Sequence, residues 1–227
     1  NVNAKNLIAF ATADDDFDFD FGYTGKIQFA ISMRKPDFVD AGDAGNGIEC
    51  DNDASGTTAA PFTRPQLSNF TFVGPNNAAG TASNHNYANR WRRRAQFVLR
   101  NSVLVGYQKG GFAVESKGSW DEFIGGNSEF ANNLVHAVAE PYFTDSSTAR
   151  LFAKNAYPAN PMSSADLKAM RQDAALALKE KAEANGSITF ASADAIMLES
   201  PFYSLTPNFL PKAGSPALTG ASFTGMN

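Results

Sequence analysis

The chain has 227 residues, of which 43% are hydrophobic and 12% aromatic, and its formal net charge is −4. This length allows one sizeable core or one elongated repeat array, and the mild negative charge does not favour a nucleic-acid partner. No apolar run approaches the roughly 20 residues that a membrane-spanning helix needs. The single cysteine, Cys50, excludes an internal disulfide and a cysteine metal site. Because the chain begins at Asn1, we expect it to be a fragment of a longer chain.

The first third of the chain has the pattern of short strands separated by polar turns. Five strands are predicted here, at residues 6–11, 16–21, 27–33, 47–50 and 66–73. In the second of them Phe17, Phe19 and Phe21 alternate with aspartates. Because successive side chains of a strand point to opposite faces, this alternation predicts phenylalanines inside and carboxylates outside.

Asparagine recurs at a fixed spacing before short apolar runs. Asn69, Asn101 and Asn133 are 32 residues apart (101 − 69 and 133 − 101), and Asn6 lies close to two such steps upstream of Asn69. A period of roughly 20 to 50 residues is typical of a solenoid, in which each repeat buries its apolar face on its neighbours. Short strands without helices between them predict an all-β, single-stranded parallel β-helix. The asparagines are predicted to form a column of amides hydrogen-bonded from coil to coil, since a turn asparagine tolerates left-handed φ.

The segment after residue 162 has a helical period instead. Ser164 is predicted to cap a helix, and Asn185 and Gly186 to end it. We therefore predict one flanking α-helix at about 164–185, in an insertion at 163–186 within a single domain covering residues 1–227. Two stretches are predicted to be loops or short helical turns, residues 120–126 and 139–147.

Several stretches resemble a known group of proteins. The tail from Pro211 to Leu218, PKAGSPAL, resembles the closing segment of many secreted β-helix proteins, including polysaccharide lyases. The stretches at 14–29 and 49–56 resemble uncharacterised surface or secreted proteins of Gram-negative bacteria in the pectate-lyase-like solenoid superfamily. The resemblance implies a right-handed coil, a secreted or outer-cell-surface location and relatives that extend upstream of Asn1. It implies no particular activity and transfers no catalytic residue.

An acidic strip is the first candidate site. Its members are Asp14, Asp16, Asp18 and Asp20, and a neighbouring coil could add Asp51 and Asp53. Ca²⁺ takes six to eight oxygen ligands from flexible sets, so these residues are candidate calcium ligands. Carboxylates on one face of a straight strand are about 7 Å apart, too far for three of them to hold one ion. The alternative is a solvated acidic face that blocks edge-to-edge aggregation.

A basic cluster is the second candidate site. Arg90, Trp91, Arg92 and Arg94 could bind an acidic polysaccharide, because arginine forks match carboxylate or sulfate and an indole can stack on a sugar ring. The alternative is that the arginines neutralise the acidic strip of an adjacent coil or border a loop.

Three functions remain open from the sequence. The first is an exported or cell-surface protein that binds a glycan or another surface component without catalysis. The second is a calcium-assisted polysaccharide lyase or glycoside hydrolase, in which the basic cluster acts against the aspartates. The third is a structural spacer of a larger surface protein. The two histidines, His85 and His136, form no metal-binding pair, and His136 is predicted to point outward or to lie satisfied in the core.

Overall fold

The computed structural model describes residues 2–226, which contain fifteen β-strands and three α-helices. The strands are β1 (Ala4–Phe10), β2 (Phe17–Phe19), β3 (Lys26–Met33), β4 (Ile48–Cys50), β5 (Gln66–Val73), β6 (Tyr87–Trp91), β7 (Val98–Arg100), β8 (Val103–Tyr107), β9 (Gly110–Val114), β10 (Glu129–Ala131), β11 (Leu134–Ala137), β12 (Glu140–Phe143), β13 (Ile188–Thr189), β14 (Leu198–Ser200) and β15 (Asn208–Pro211). The helices are α1 (Lys117–Ile124), α2 (Ser146–Phe152) and α3 (Ser164–Ala184). None of the helices in this part of the chain is long and apolar enough to cross a membrane.

Two parallel sheets form the body of the molecule. The first sheet has the order β1-β3-β5-β8-β11-β13, with β7 and β10 paired beside it, and the second has the order β12-β9-β6-β4-β2. From β2 to β13 the chain alternates between the second and first sheets, entering the first sheet with two consecutive strands at β7–β8 and at β10–β11, and every pairing within these two sheets is parallel. Strands β14 and β15 form a separate antiparallel pair. The predicted all-β parallel β-helix is therefore confirmed.

A column of left-handed residues bends the strands of the first sheet. Asn6, Phe29, Asn69, Asn101 and Asn132 have φ of 59°, 60°, 58°, 54° and 55°, and the strand register makes them neighbours on successive coils. The bend shifts the alternation of side chains by one position. In β5, for example, residues on both sides of the bend point into the same interior, where they are less than 2% exposed.

The predicted asparagine column is correct at residues 69 and 101 and wrong at 133. The coil that follows Asn101 is 31 residues long, since Ala131 pairs with Arg100, so Asn132 occupies the bend. Asn133 lies one position further along and is fully buried. Its Nδ2 donates to Leu99 O at 2.9 Å and its Oδ1 accepts from Ser102 N at 2.9 Å. The predicted hydrogen bonds from one asparagine to the next are not formed among residues 2–226. The side chains bond to other residues instead, such as Asn101 Nδ2 to Ser68 Oγ at 3.2 Å.

Aromatic rings fill the interior of the coils. Phe112 lies 4.1 Å from Phe130 and 5.2 Å from Phe123, measured between ring centroids, and Trp91 stacks on Phe97 at 4.0 Å. A second apolar cluster lies outside the first sheet. There the outward row Met33, Val73 and Val105 is buried under the C-terminal segment, which includes Ile196, Phe202 and Phe209.

The helices occur where the chain leaves the coil. Helix α3 begins and ends within a residue of its predicted bounds. The predicted cap, Ser164, is instead its first residue, and the N-cap is Ser163, whose side chain accepts from Asp166 N. The expectation of a single flanking helix is wrong, since α1 and α2 also form. The stretch predicted as a loop or short helical turn at 120–126 does contain the end of α1. In the stretch at 139–147, residues 146–147 begin α2, whereas residues 140–143 instead form strand β12, which pairs with β9. Its charged and proline-containing sequence, Glu140 to Phe143, lacks the alternation that would have predicted a strand.

Candidate functional site

A row of charged side chains crosses the outward face of the second sheet. Asp18, Glu49 and Arg90 are register partners on β2, β4 and β6. Arg90 Nη1 donates to Glu49 Oε1 at 2.9 Å, and Arg90 Nε donates to Glu115 Oε2 at 2.8 Å. Burial lowers the pKa of Arg90, but the charges of Glu115 and Glu49 outweigh burial and raise it above its ordinary value. The guanidinium is therefore fixed between carboxylates of both neighbouring coils.

A second row lies beside it at the ends of the same strands. Arg92 Nε donates to Asp51 Oδ1 at 2.8 Å, and Arg92 Nη2 contacts Glu49 Oε2. Arg93 Nη1 donates to the other Asp51 oxygen at 2.7 Å. Burial raises the pKa of Glu49, and the charges of Arg92 and Arg90 oppose that shift. Arginines of one coil thus neutralise carboxylates of the next. We call Asp18, Glu49, Asp51, Arg90, Arg92, Arg93 and Glu115 the charged face.

Trp91 is on the other side of the same strand. It is fully buried and stacks on Phe97, so the prediction that its ring contacts a ligand is wrong. The physical reason is the alternation of the strand, which places Arg90 and Arg92 outside and the residue between them inside. Arg94 is also separate from the charged face. Its Nη1 lies 3.6 Å from Glu122 Oε1, at the side of α1.

The candidate calcium ligands are dispersed over several environments. Asp14, Asp18 and Asp20 are exposed, whereas Asp53 accepts from Ser55 N at 2.8 Å within its own loop. Within residues 2–226 no three Asp, Glu, His or Cys side chains are grouped so that they could hold a metal ion. Burial, followed by the charges of Asp20 and Asp51, raises the pKa of Asp18. Asp18, Asp20 and Asp51 therefore repel one another at the β2 end of the charged face.

Asp16 was expected on the outward acidic face, and that expectation is wrong. Its side chain is fully buried and forms an ion pair with the equally buried Arg34, with Nη1 2.9 Å from Oδ1. Strand β2 begins only at Phe17, so the alternation that predicted an outward Asp16 does not extend to it. Phe21 is likewise outside the strand and 72% exposed, contrary to expectation. The sequence offered one signal for the pair, an arginine directly after the apolar run of β3.

An open groove of about 400 Å³ adjoins the charged face. Four cationic side chains line it, Arg90, Arg92, Arg93 and Lys117, together with two anionic ones, Glu115 and Asp145. Asp145 is occupied as the N-cap of α2, where it accepts from Ser147 N and Thr148 N at 2.8 and 3.0 Å. Sequence reasoning missed Lys117, because α1 begins three residues ahead of the stretch at 120–126 that the sequence indicates as a loop or short helical turn.

Together the coiled sheets and this charged groove define a parallel β-helix protein with a charged outer face. A family model for a pectate-lyase-like β-helix domain matches residues 1–186, and the chain belongs to this family. No curated protein and no solved structure matches the chain significantly.

Proposed function

We propose that the chain is part of an exported or cell-surface protein, coiled in the right-handed sense, that binds an acidic glycan in the groove beside the charged face. One observation carries the proposal: four cationic side chains and two anionic ones line the same groove, and one of the anionic pair is used as a helix cap. The lining has two more cationic than anionic side chains. Glu49 and Asp51 pair with its arginines from the charged face, but Arg93 and Lys117 stay largely exposed, which favours carboxylate or sulfate groups at this place.

Arg93 and Lys117 are the side chains that we expect to contact the glycan. Arg93 is 43% exposed and uses only Nη1 in its ion pair with Asp51, which leaves the rest of its fork for a second anion. Lys117 is 62% exposed, and its pairing with Asp121 is a solvent-screened contact between residues four apart in a helix. Arg90 and Arg92 hold the groove wall in place because each is bonded to two carboxylates.

Binding rather than catalysis is the simpler reading of this geometry. A lyase needs a base that is free to reach the sugar, and the Arg92 guanidinium is bonded to both Asp51 and Glu49. Removal of the C5 proton of a uronate by this group would first require breaking both ion pairs.

The test compares polygalacturonate with its methyl ester, which keeps the sugar and removes the charge. The intact chain should bind the acidic polymer more tightly in isothermal titration, and added salt should weaken binding. Lys117→Gln and Arg93→Gln should each weaken it about threefold to tenfold. Lys168→Gln on α3, which is also exposed, is the control. Equal affinity for both polymers, or no binding to either, would refute the proposal; the latter is what a structural spacer predicts.

A polysaccharide lyase or glycoside hydrolase is the second candidate, and one observation favours it. Asp18 and Glu49 are register partners on adjacent strands, and the pKa of each is raised, chiefly by burial. A pair of carboxyl groups, one of them protonated, is the usual equipment for cleaving a glycosidic bond. Incubation with acidic polysaccharides, with and without added calcium, would reveal unsaturated uronate by ultraviolet absorbance or new reducing ends. Neither product should form if the protein only binds.

A further inference from the structure

A second groove, of about 270 Å³, lies apart from the charged face. Its polar lining comes from five side chains, those of Asn76, Asn77, His136, Ser192 and Asp194. Its apolar lining is confined to two alanines and Val138, so it has no deep pocket for a bulky apolar group. The groove can therefore bind a ligand mainly through hydrogen bonds and not through apolar contacts.

His136 reaches this groove from a strand irregularity. Between β8 and β11 the register shifts, so that the single residue His136 lies opposite Val105 and Gly106. Gly106 has φ of +75°, and its N–H donates to His136 Nδ1 at 3.3 Å. Irregularities of this kind re-aim a side chain and are common beside functional sites. A side chain at Gly106 would collide with Phe202 and Asn76, so glycine is required there.

The contact with Gly106 determines what the imidazole can do. Because Nδ1 accepts a hydrogen bond, the neutral ring carries its proton on Nε2. His136 is only 7% exposed, and its Nε2 makes no hydrogen bond to any residue between 2 and 226. Burial lowers the pKa of His136, and the charge of Asp194 only partly opposes this. At neutral pH the ring is thus an uncharged donor with an unused N–H on the lining of the groove.

Two ligand classes are disfavoured by this arrangement. A histidine that binds a metal through Nε2 normally donates Nδ1–H to an acceptor, whereas here Nδ1 meets a donor. An anion would lie near the Asp194 carboxylate without a cationic side chain on the lining to offset the repulsion. What remains is an uncharged ligand that both accepts from an N–H and donates to a carboxylate.

We propose that this groove binds a neutral sugar unit through two neighbouring hydroxyl groups, one accepting from His136 Nε2–H and the other donating to the Asp194 carboxylate. Each hydroxyl can donate and accept, so it matches a lining that has both kinds of group. The Ser192 hydroxyl and the side-chain amide of Asn76 make no hydrogen bond elsewhere in the described chain and complete the set. None of these residues belongs to the charged face, so this inference stands independently of the acidic-glycan proposal.

A neighbouring contact holds the far wall of the groove in place. Asn77 N donates to Gln108 Oε1 at 3.0 Å, and Gln108 Nε2 donates back to Asn77 Oδ1 at 3.0 Å. Asn76 N donates to Gly106 O at 2.8 Å, which ties the same loop to the residue that orients His136. The loop that carries Asn76 and Asn77 is therefore fixed to the same coil that orients the His136 ring.

The chain has only two histidines, so nitrogen-15 NMR of the imidazoles can test the proposal directly. His85 is the internal reference, because it is fully buried and its Nε2 lies 3.0 Å from Lys35 O and 3.1 Å from Pro36 O. The probes are the methyl glycosides of glucose, galactose and mannose, up to about 50 mM, which would saturate a site of millimolar Kd. At least one should shift the Nε2 signal of His136 saturably and leave His85 unchanged.

Two variants and a control keep the test decisive. Asp194→Asn should weaken the binding about tenfold and Ser192→Ala about threefold, because each loses one hydrogen bond to the sugar. Glu199→Gln, an exposed carboxylate on β14, should leave it unchanged. Zinc chloride and inorganic phosphate are titrated separately as competing ligand classes. The proposal is overturned if no glycoside shifts His136, if only zinc or phosphate does, or if Asp194→Asn and Glu199→Gln behave alike. Polygalacturonate binding at Lys117 should not change in any of these variants.

Discussion

Replacing Arg34 by methionine should remove a large part of the stability of the fold. The guanidinium is fully buried, and its Nη1 lies 2.9 Å from Asp16 Oδ1, 2.8 Å from Thr12 Oγ1 and 2.6 Å from Asp14 O. Methionine replaces the aliphatic stem of arginine but has no group that can donate to any of these oxygens. The variant would leave the Asp16 carboxylate inside the protein, with hydroxyl partners at Thr12 and Ser32 but without a counter-charge.

The magnitude follows from the burial of both partners. At 2.9 Å and an effective dielectric constant of about 20, the attraction between two unit charges is about 6 kcal/mol. Part of this only offsets the desolvation of the charges, so the loss expected on removing one partner is about 3–5 kcal/mol. The double variant Arg34→Met/Asp16→Asn should be less destabilised than the two single losses added together, because no unpaired charge remains.

Urea unfolding at pH 7, followed by fluorescence and circular dichroism, would measure this. Trp91 and Trp120 are 0% and 4% exposed, so their emission reports the loss of the core. Burial already raises the pKa of Asp16 against the opposing charge of Arg34, and the variant should raise it further. A raised folded-state pKa means that stability falls as pH rises, so the defect of Arg34→Met should shrink in acid. A loss below about 1 kcal/mol at pH 7, or additive single variants, would contradict the reasoning.

Three further predictions concern other parts of the coil. Burial, then the charge of Glu49, raises the pKa of Asp15 to about 7, so the free energy of unfolding should fall between about pH 4 and pH 7. Asp15→Asn keeps the acceptor for Asn46 and removes the titration, so in pH-dependent urea unfolding it should reduce that fall by up to about 4 kcal/mol. Asn101→Ala should lose about 2 kcal/mol, from left-handed strain and its side-chain hydrogen bonds, and Asn101→Gly about 1 kcal/mol less; equal losses would show that φ is unimportant there. Phe112→Ala should cost about 3–5 kcal/mol in the same assay, because the ring is fully buried among other aromatic rings; a loss under about 1 kcal/mol would mean that the interior can repack.

The fold could be predicted because local sequence and coil geometry agree in its most regular part. Strand β5 was placed correctly at Gln66–Val73, and the 32-residue step from Asn69 to Asn101 is the true register. Both follow from the alternation of apolar residues and from the tolerance of asparagine for the left-handed bend. Asn132 and Asn133 could not be separated in the same way, since both are asparagine and the length of the coil decides which one bends.

The predicted basic site is wrong in one member, because Trp91 faces the interior and not the surface. Arg90, Trp91 and Arg92 were grouped by their nearness in sequence, although strand alternation already implied that the tryptophan faces the opposite side. The partners of the arginines, Glu49 and Glu115, lie 41 and 25 residues away. Those separations are set by the loops between strands, whose lengths the sequence did not specify.

Unequal coil lengths explain why a periodic sequence reveals this scaffold more readily than its sites. Along the first sheet, the residue beneath Leu7 is Ala30, 23 positions on, and the residue beneath Val135 is Thr189, 54 positions on. The parallel strands stay in register despite these differences, because only the bends and the inward residues must recur from coil to coil. The loops and helices that join the strands can be of any length. His136 and Asp194 are brought to one groove by the longest of these excursions. Residues that share a site on this fold can therefore be identified from the pairing of the strands. A search for a fixed sequence period does not bring them together.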